Sequence, residues 1–178
     1  ESFTYHYEDP DFPRLLTGIT DNRNIRMATF AYDRQGRAIS TEYAGGAEKF
    51  TIAYSTSGSN QIRAVTNPLG KVSTYTYEPA AAPTTQVINL KSVAGQSSLN
   101  CAPSNSSRTY AGQFVETETD EEGRVTKYTR DSLGRPLTMI RGFGTPLAVT
   151  TSYTWNAAWS TPTQIVQPGL TIDYTRNA

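Results

Sequence analysis

The sequence predicts an all-β protein built from consecutive antiparallel β-hairpins. Three observations support this fold class. Short segments alternate between apolar and polar residues, Gly, Asn, Asp and Pro bound these segments, and tyrosines recur at intervals of about 20 to 25 residues. A fixed period of this length is typical of repeat proteins.

The alternating segments mark the strands. In one of them, Phe50, Ile52 and Tyr54 fall on one face of a strand, and the residues between them fall on the other. No segment has the periodicity of a helix of three turns. The same two-residue alternation occurs at residues 72–77, 115–119, 151–155 and 171–175.

A turn pattern of Asp or Asn, two further residues, Gly, and Arg or Lys recurs between the strands. The first residue can accept a hydrogen bond from a backbone N–H two residues on, and Gly takes a positive φ with little penalty. The basic residue begins the next strand and can pair with an acid of the same or the next turn, a contact worth about 0 to 1 kcal/mol. Near residue 20, Asn24 stands where the glycine would be. The predicted turn residues are Asp33, Gly36, Arg37, Asn67, Gly70, Asp120, Gly123, Arg124, Asp131, Gly134 and Arg135.

Tyrosines follow the same rhythm as the turns. When the chain is aligned on them the turn segments match, so one repeat unit is two short strands and a tight turn. The repeat tyrosines are Tyr32, Tyr54, Tyr75, Tyr77, Tyr128, Tyr153 and Tyr174.

We interpret residues 1–178 as a single domain with one interruption. The rhythm breaks between Glu78 and Arg108, where a Pro- and Ala-rich segment precedes a Ser- and Asn-rich one. Residues 85–90 could form a short strand there. We interpret residues 79–107 as a loop insertion and not as a domain boundary, because the same repeat type resumes after it.

Composition argues against several classes of function. Sixteen basic and sixteen acidic residues give zero formal net charge, so the electrostatic field of a nucleic-acid-binding protein is missing. No apolar run approaches the ~20 residues that cross a bilayer, and the first residues lack the regions of a signal peptide. A single cysteine excludes an internal disulfide and a CxxC zinc site. We predict no nucleic-acid partner, no membrane insertion, no metal and no cofactor.

Two groups of polar residues could be catalytic. Asp120, Glu121 and Glu122 could supply the acid/base pair of a glycosidase or ligands for calcium. Adjacent carboxylates on a turn point in different directions, which favours a role in the repeat turn. Cys101 and His6 could be a nucleophile and a base, but they lie in unrelated parts of the sequence, which favours an incidental thiol. We therefore predict no catalytic residue.

Aromatic residues could form a stacking platform for sugars or single-stranded nucleic acid. In a two-faced sheet, aromatic residues in register across strands are more often packing partners, and the neutral charge disfavours nucleic acid. The glycines at residues 45–46 and 142–144 do not lead from a strand into a helix, as a phosphate-binding loop requires, and predict turns or bulges. The aromatic candidates are Tyr75, Tyr77, Tyr153, Trp155 and Trp159.

The turn segments resemble those of the Rhs (rearrangement hotspot), or YD-repeat, family. One YDxxGR motif is weak evidence, whereas five or six units in phase make the resemblance specific. It covers nearly the whole chain apart from the insertion. It rests on YDRQGR at residues 32–37, NPLGK at 67–71, YTY at 75–77, YTRDSLGR at 128–135, and residues 15–42 leading into AGGA at 44–47.

The resemblance implies hairpins that add side by side into a curved antiparallel sheet, which spirals into a hollow shell. In bacterial members the shell looks like a container for a C-terminal toxin delivered by secretion machinery, and in animal teneurins a related shell sits in an adhesion receptor. The family is also described as carbohydrate-binding. This chain shows no PAAR-like segment, toxin tail or self-cleavage region, and it begins at Glu1 without a methionine. We therefore expect a segment of such a shell.

These expectations lead to one functional prediction and one alternative. We predict a non-catalytic structural segment of an Rhs/YD-repeat shell that encapsulates or presents a C-terminal toxin or effector. Its partners would be the rest of the shell, the toxin cargo and further copies of the chain through edge strands. It would be secreted or at the cell surface as part of a larger exported protein. The alternative is a carbohydrate- or cell-surface-binding adhesion module with a glycan partner, and any enzymatic activity would need a toxin domain outside this chain.

Overall fold

The computed structural model describes residues 2–80 and 87–175. These residues form fifteen strands and a short 3-10 helix at Ala44–Gly46. Strand order in the sheet is the order in the chain, and the paired strands run antiparallel. The predicted all-β fold of consecutive antiparallel hairpins is confirmed.

The strands are short and follow one another closely. Four of the five segments predicted from alternation lie wholly in strands. The fifth, predicted at residues 171–175, lies only in part in a strand, which ends at Asp173. The first seven strands are β1 Phe3–His6, β2 Gly18–Asp21, β3 Arg26–Tyr32, β4 Ala38–Tyr43, β5 Ala47–Ser57, β6 Asn60–Thr66 and β7 Val72–Pro79. The others are β8 Ile88–Gly95, β9 Asn105–Ala111, β10 Phe114–Thr119, β11 Val125–Arg130, β12 Pro136–Arg141, β13 Val149–Trp155, β14 Pro162–Gln167 and β15 Leu170–Asp173.

The chain divides into two compact units. The first comprises residues 1–76 and 94–103, and the second comprises residues 77–93 and 104–178. The interpretation of residues 1–178 as one domain stays a prediction.

The region interpreted as a loop insertion contains a full strand. We expected at most a short strand at residues 85–90. Residues 85 and 86 lie outside the described part of the chain, and β8 continues to Gly95. Its alternation is hard to recognise because its most buried residue is the polar Asn89. A loop remains at residues 96–104, where Ser98 and Cys101 form an isolated bridge.

Strand register determines which residues share a face within each unit. In the first unit, Ile52 of β5 lies opposite Val65 of β6, and Tyr54 lies opposite Arg63. In the second unit, Tyr128 of β11 lies opposite Met139, which lies opposite Thr151 of β13. The opposite faces carry many Thr, Ser and Ala side chains, as the two-residue period of a strand requires.

The described residues have almost no buried core. Ala80 is the one apolar side chain among residues 2–80 and 87–175 that is buried, with 7% of its surface exposed. The most buried polar residue is Thr151, at 2%. Stability must therefore come from the hydrogen-bond ladders and from contacts between neighbouring strands, as in other repeat proteins.

Candidate functional site

The repeat turns share one hydrogen-bond pattern. In the turn that begins at Asp33, its backbone N–H donates to the carbonyl of Arg37 and the N–H of Gly36 donates to the carbonyl of Asp33, both at 2.9 Å. The Asp33 Oδ1 atom accepts from the backbone N–H groups of Gln35 (2.9 Å) and Arg37 (3.0 Å). Gly36 has φ 72°, which favours glycine. The turns that begin at Asn67, Asp120 and Asp131 repeat this pattern.

A fifth turn of this kind lies between β2 and β3. Asp21 Oδ1 accepts from the backbone N–H groups of Arg23 (2.9 Å) and Ile25 (3.0 Å). Asn24 occupies the glycine position with φ 61°. Asn tolerates this left-handed conformation better than most residues, so the turn forms without glycine.

In three of the turns, the arginine that directly follows the glycine binds the acid that begins the turn, and in the turn at Asp21 the acid is bound by Arg23. The Nε atoms of Arg37, Arg124 and Arg135 each donate to Oδ2 of their own turn aspartate at 2.7 Å. The bond from Arg37 lowers the pKa of Asp33, and the bond from Arg124 lowers the pKa of Asp120.

The pKa of Asp131, which pairs with Arg135, is also lowered, although burial opposes this shift. Burial raises the pKa of Asp131, but hydrogen bonds from Arg135 and from backbone N–H groups outweigh burial and leave that pKa below its usual value. All three turns are at or near the surface, so these ion pairs set turn geometry more than they add stability.

A second set of hydrogen bonds joins the two strands of a hairpin at the end opposite its turn. In each, a side chain in the second half of an odd-numbered strand donates to a backbone carbonyl that lies within the first three residues of the preceding strand or just before that strand. We call these side chains closing donors. They are Tyr32 to Leu16 (2.7 Å), Tyr54 to Ala38 (2.8 Å), Tyr110 to Leu90 (2.8 Å), Arg130 to Val115 (3.3 Å) and Trp155 to Pro136 (2.6 Å).

Three closing donors directly precede the residue that begins the next turn. Tyr32 precedes Asp33, Arg130 precedes Asp131, and Trp155 precedes an Asn whose Oδ1 also accepts two backbone N–H groups. At all three donors the strand register shifts by a bulge. In each case the extra residue lies on the strand that follows the donor, and the donor bonds to a carbonyl in or just before the strand that precedes it. In the Tyr32–Asp33 pair, the tyrosine therefore closes one hairpin and the aspartate begins the next turn.

The remaining repeat tyrosines have other roles. The Tyr128 ring lies under the guanidinium of Arg130, with 5.0 Å from its central carbon to the ring centre. Tyr153 stacks on Trp155 with ring centres 6.3 Å apart. Of the other repeat tyrosines, Tyr75 and Tyr77 are half-buried on β7, and Tyr174 is exposed after β15.

The acidic run at the β10–β11 turn does not converge on one point. Asp120 is engaged by its own turn, and Glu122 pairs with Arg124. Glu121 accepts a hydrogen bond from the hydroxyl of Ser104. Asp120 and Glu122 therefore both bind Arg124, whereas Glu121 faces Ser104. The described residues contain no group of three or more His, Cys, Asp and Glu that could hold a metal ion.

The structure does not join the single histidine to the single cysteine. His6 Nε2 hydrogen-bonds to Thr20 Oγ1 at 2.7 Å, and Nδ1 lies 3.4 Å from the carboxylate of Glu8. Cys101 is exposed in the loop after β8. Among residues 2–80 and 87–175, no helix is both long enough and apolar enough to cross a membrane.

The turns and closing donors define a class of protein. It is a β-hairpin repeat protein, in which the recurring residues shape turns and join strands. Residues 109–146 match the model of the family described as RHS Repeat. This segment contains the closing donors Tyr110 and Arg130 and the turns at Asp120 and Asp131. Residues 109–146 therefore contain an Rhs repeat, and the resemblance found in the sequence is supported over this segment.

The comparison with solved structures finds a crystal structure described as TcdB2-TccC3-TEV. The two chains are 13% identical with a TM-score of 0.34, and the alignment covers 93% of this chain. It covers 12% of the other chain, so this chain spans about an eighth of that length. The comparison with curated proteins finds no match.

Proposed function

We propose that this chain is a non-catalytic segment of the wall of an Rhs/YD-repeat shell, which encapsulates or presents a C-terminal toxin or effector. The shell would belong to a larger exported protein. The observation that carries the proposal is the recurrence of the closing donor in successive hairpins. This recurrence supports a structural role, because the same position of the repeat joins two strands in five hairpins.

The burial pattern also supports a wall. A single hairpin is marginal in water and gains stability when neighbours cover its edges. Here the strands pair in chain order, and the described residues bury almost no apolar side chain. Such a sheet can be extended by adding hairpins without building a new core, which is what an extended wall requires.

The test uses the natural full-length protein that carries this chain. A protease added to the intact protein should leave the segment that follows the repeats uncleaved. Trp155→Ala combined with Tyr54→Ala removes two closing donors and should make that segment cleavable. The matched control is Tyr153→Phe, which keeps all closing donors and should preserve protection. Cleavage of the following segment at equal rates in the wild-type and double-variant proteins would overturn the proposal.

A second candidate function is binding of a neutral glycan. Trp159 and Tyr174 are 52% and 48% exposed and line a cavity of about 440 Å³. Asn156, Pro162 and Thr163 complete much of its wall, and among the described residues no charged side chain lines it. Aromatic faces with hydroxyl and amide groups suit uncharged sugar rings better than phosphates or acids.

Tryptophan fluorescence separates the two candidates. In a Trp155→Phe background, which leaves Trp159 as the single tryptophan, the chain is titrated with chito-, cello- and malto-oligosaccharides. A saturable change that Tyr174→Ala removes supports the glycan site. A flat response to all three series rejects neutral glycan binding at this cavity and leaves the wall proposal unaffected.

A further inference from the structure

Two repeat turns join one hairpin to the next. They lie between β3 and β4 (residues 33–37) and between β11 and β12 (residues 131–135). We call them linking turns, to distinguish them from turns inside a hairpin such as residues 120–124. Each linking turn contacts one aromatic side chain that lies before it in the chain and one that lies after it. The glycine of the turn at residues 120–124 has no such aromatic neighbour.

The backward contact is an aromatic ring on the turn glycine. A methyl group added to Gly36 would lie 3.2 Å from Cε1 of Phe12, which belongs to the segment before β2. A methyl group added to Gly134 would overlap the ring of Phe114, the first residue of β10. At Gly123, inside a hairpin, an added methyl group would have no neighbour within 4 Å.

The forward contact runs from the turn arginine to the closing donor of the next hairpin. The central guanidinium carbon of Arg37 lies 4.1 Å from the ring centre of Tyr54, and that of Arg135 lies 5.4 Å from the ring centre of Trp155. Arg135 Nη1 also donates to the carbonyl of Asn156 at 3.0 Å. Each linking turn thus touches the side chain that closes the following hairpin.

The arginine cannot move independently of the turn. Arg135 is fixed to Asp131 through its Nε atom at 2.7 Å, and Asp131 is bound to the turn backbone at both Leu133 and Arg135. Gly134 lies directly before Arg135, and the Phe114 ring packs against Gly134. A displacement of the glycine would therefore shift the guanidinium over the indole.

We propose that the linking turn couples neighbouring hairpins, so that Phe114, Gly134, Arg135 and Trp155 respond as one unit. The packing of a ring from hairpin β10–β11 then sets the environment of the closing donor of hairpin β12–β13. Phe12, Gly36, Arg37 and Tyr54 form the equivalent unit earlier in the chain. This coupling deepens the proposed wall function, because it links repeats along the sheet in the absence of a common core.

The test reads the environment of Trp155 after a change at Phe114. In a Trp159→Phe background, Trp155 is the single tryptophan. Phe114→Leu removes the flat ring, and we expect it to increase acrylamide quenching of Trp155 about as much as Arg135→Gln does. The double variant should show no further increase, because both changes disrupt the same unit. Phe143→Leu, in a loop at the other end of β12, should leave quenching unchanged.

The outcomes separate coupling from local contact. If Phe114→Leu leaves Trp155 quenching unchanged while Arg135→Gln raises it, or if neither changes it, the coupling is wrong. Should Phe114→Leu fail to fold by circular dichroism, Phe114→Met keeps an apolar side chain of similar size and is read in the same way. The readout involves no cargo, so a negative result here leaves the protease test of the wall function to be decided separately.

Discussion

The indole N–H of Trp155 donates to the carbonyl of Pro136 at 2.6 Å, and Tyr54 donates its hydroxyl to the carbonyl of Ala38 at 2.8 Å. In each case the acceptor directly follows a turn arginine that lies over the donor ring. Two chemically different side chains therefore occupy one structural position. The position requires a donor of sufficient reach, and it does not require tyrosine.

Removing the donor while keeping the ring should destabilise the hairpin. We expect Trp155→Phe and Tyr54→Phe each to lower the free energy of unfolding by about 0.5 to 1.5 kcal/mol, the net worth of one hydrogen bond. Urea unfolding followed by circular dichroism measures the change. Tyr153→Phe, which removes a hydroxyl that closes no hairpin, is the control and should cost less. Equal effects for Tyr153→Phe and Tyr54→Phe would contradict the role of the closing donor.

Alanine should be worse at Gly134 than at Gly123. Both glycines have positive φ, 81° and 77°, so either substitution strains the backbone by about 1 to 2 kcal/mol. Only at Gly134 does the added methyl group meet the Phe114 ring. Overpacking of this kind adds about 1 to 3 kcal/mol. Urea midpoints of the two variants provide the comparison, and equal midpoints would show that the ring yields without cost.

Acid should weaken the turns that aspartate begins. The folded-state pKa values of Asp33, Asp120 and Asp131 are lowered, so their stabilisation is fully present above the unfolded pKa of about 3.9. It is lost as pH falls through the lower folded-state values. We expect the urea midpoint to be flat from neutral pH to about pH 5 and to fall below about pH 4.

The Asn67 turn supplies the control for this pH dependence. Asn67 accepts the same two backbone N–H groups without a carboxylate. Asp120→Asn should therefore keep the turn and reduce the acid-dependent loss, whereas Asp120→Ala should lose the turn's acceptor and destabilise at every pH. If the urea midpoint of Asp120→Asn falls with decreasing pH as steeply as that of the wild type, this carboxylate does not contribute to the pH dependence.

Much of the fold follows from the sequence, since alternation and turn chemistry are local. The strand at residues 125–130 and the turns at Asp120 and Asp131 lie where the pattern places them. The turn geometry depends on a few backbone bonds and on a glycine with positive φ, and both are encoded within five residues. Asn24 could be placed in the same way because it is one of the few other residues that adopt this conformation.

The closing donors could be predicted only in part. The tyrosine rhythm identifies Tyr32 and Tyr54 as repeat residues. It does not identify Arg130 and Trp155, because the position requires a long side chain with an N–H or O–H group and not one residue type. A sequence signal did exist, since a long donor side chain directly precedes the Asp or Asn of a turn in three cases. The acceptors lie 15 to 20 residues earlier and depend on strand register, which local patterns do not fix.

The two ends of the strand order should drive self-association. β1 presents Phe3 and Tyr5, 51% and 57% exposed, and β15 presents Leu170 and Ile172. Neither strand contains Lys or Pro, the residues that commonly protect an edge. We expect the isolated chain to dimerise or aggregate with increasing concentration in light scattering. Tyr5→Lys with Ile172→Lys should reduce this association, and the same substitution at an interior strand, Thr126→Lys, should not.

Hydrogen exchange tests most directly whether stability comes from neighbouring strands and not from a core. At low protein concentration, amides of β10, β11 and β12, which have a paired strand on each side, should exchange slowest. Amides of β1 and β15 should exchange fast, and should become protected as the concentration rises and edges pair. Slow exchange of β1 and β15 in a monomer shown by light scattering, at rates equal to those of β11, would contradict the account.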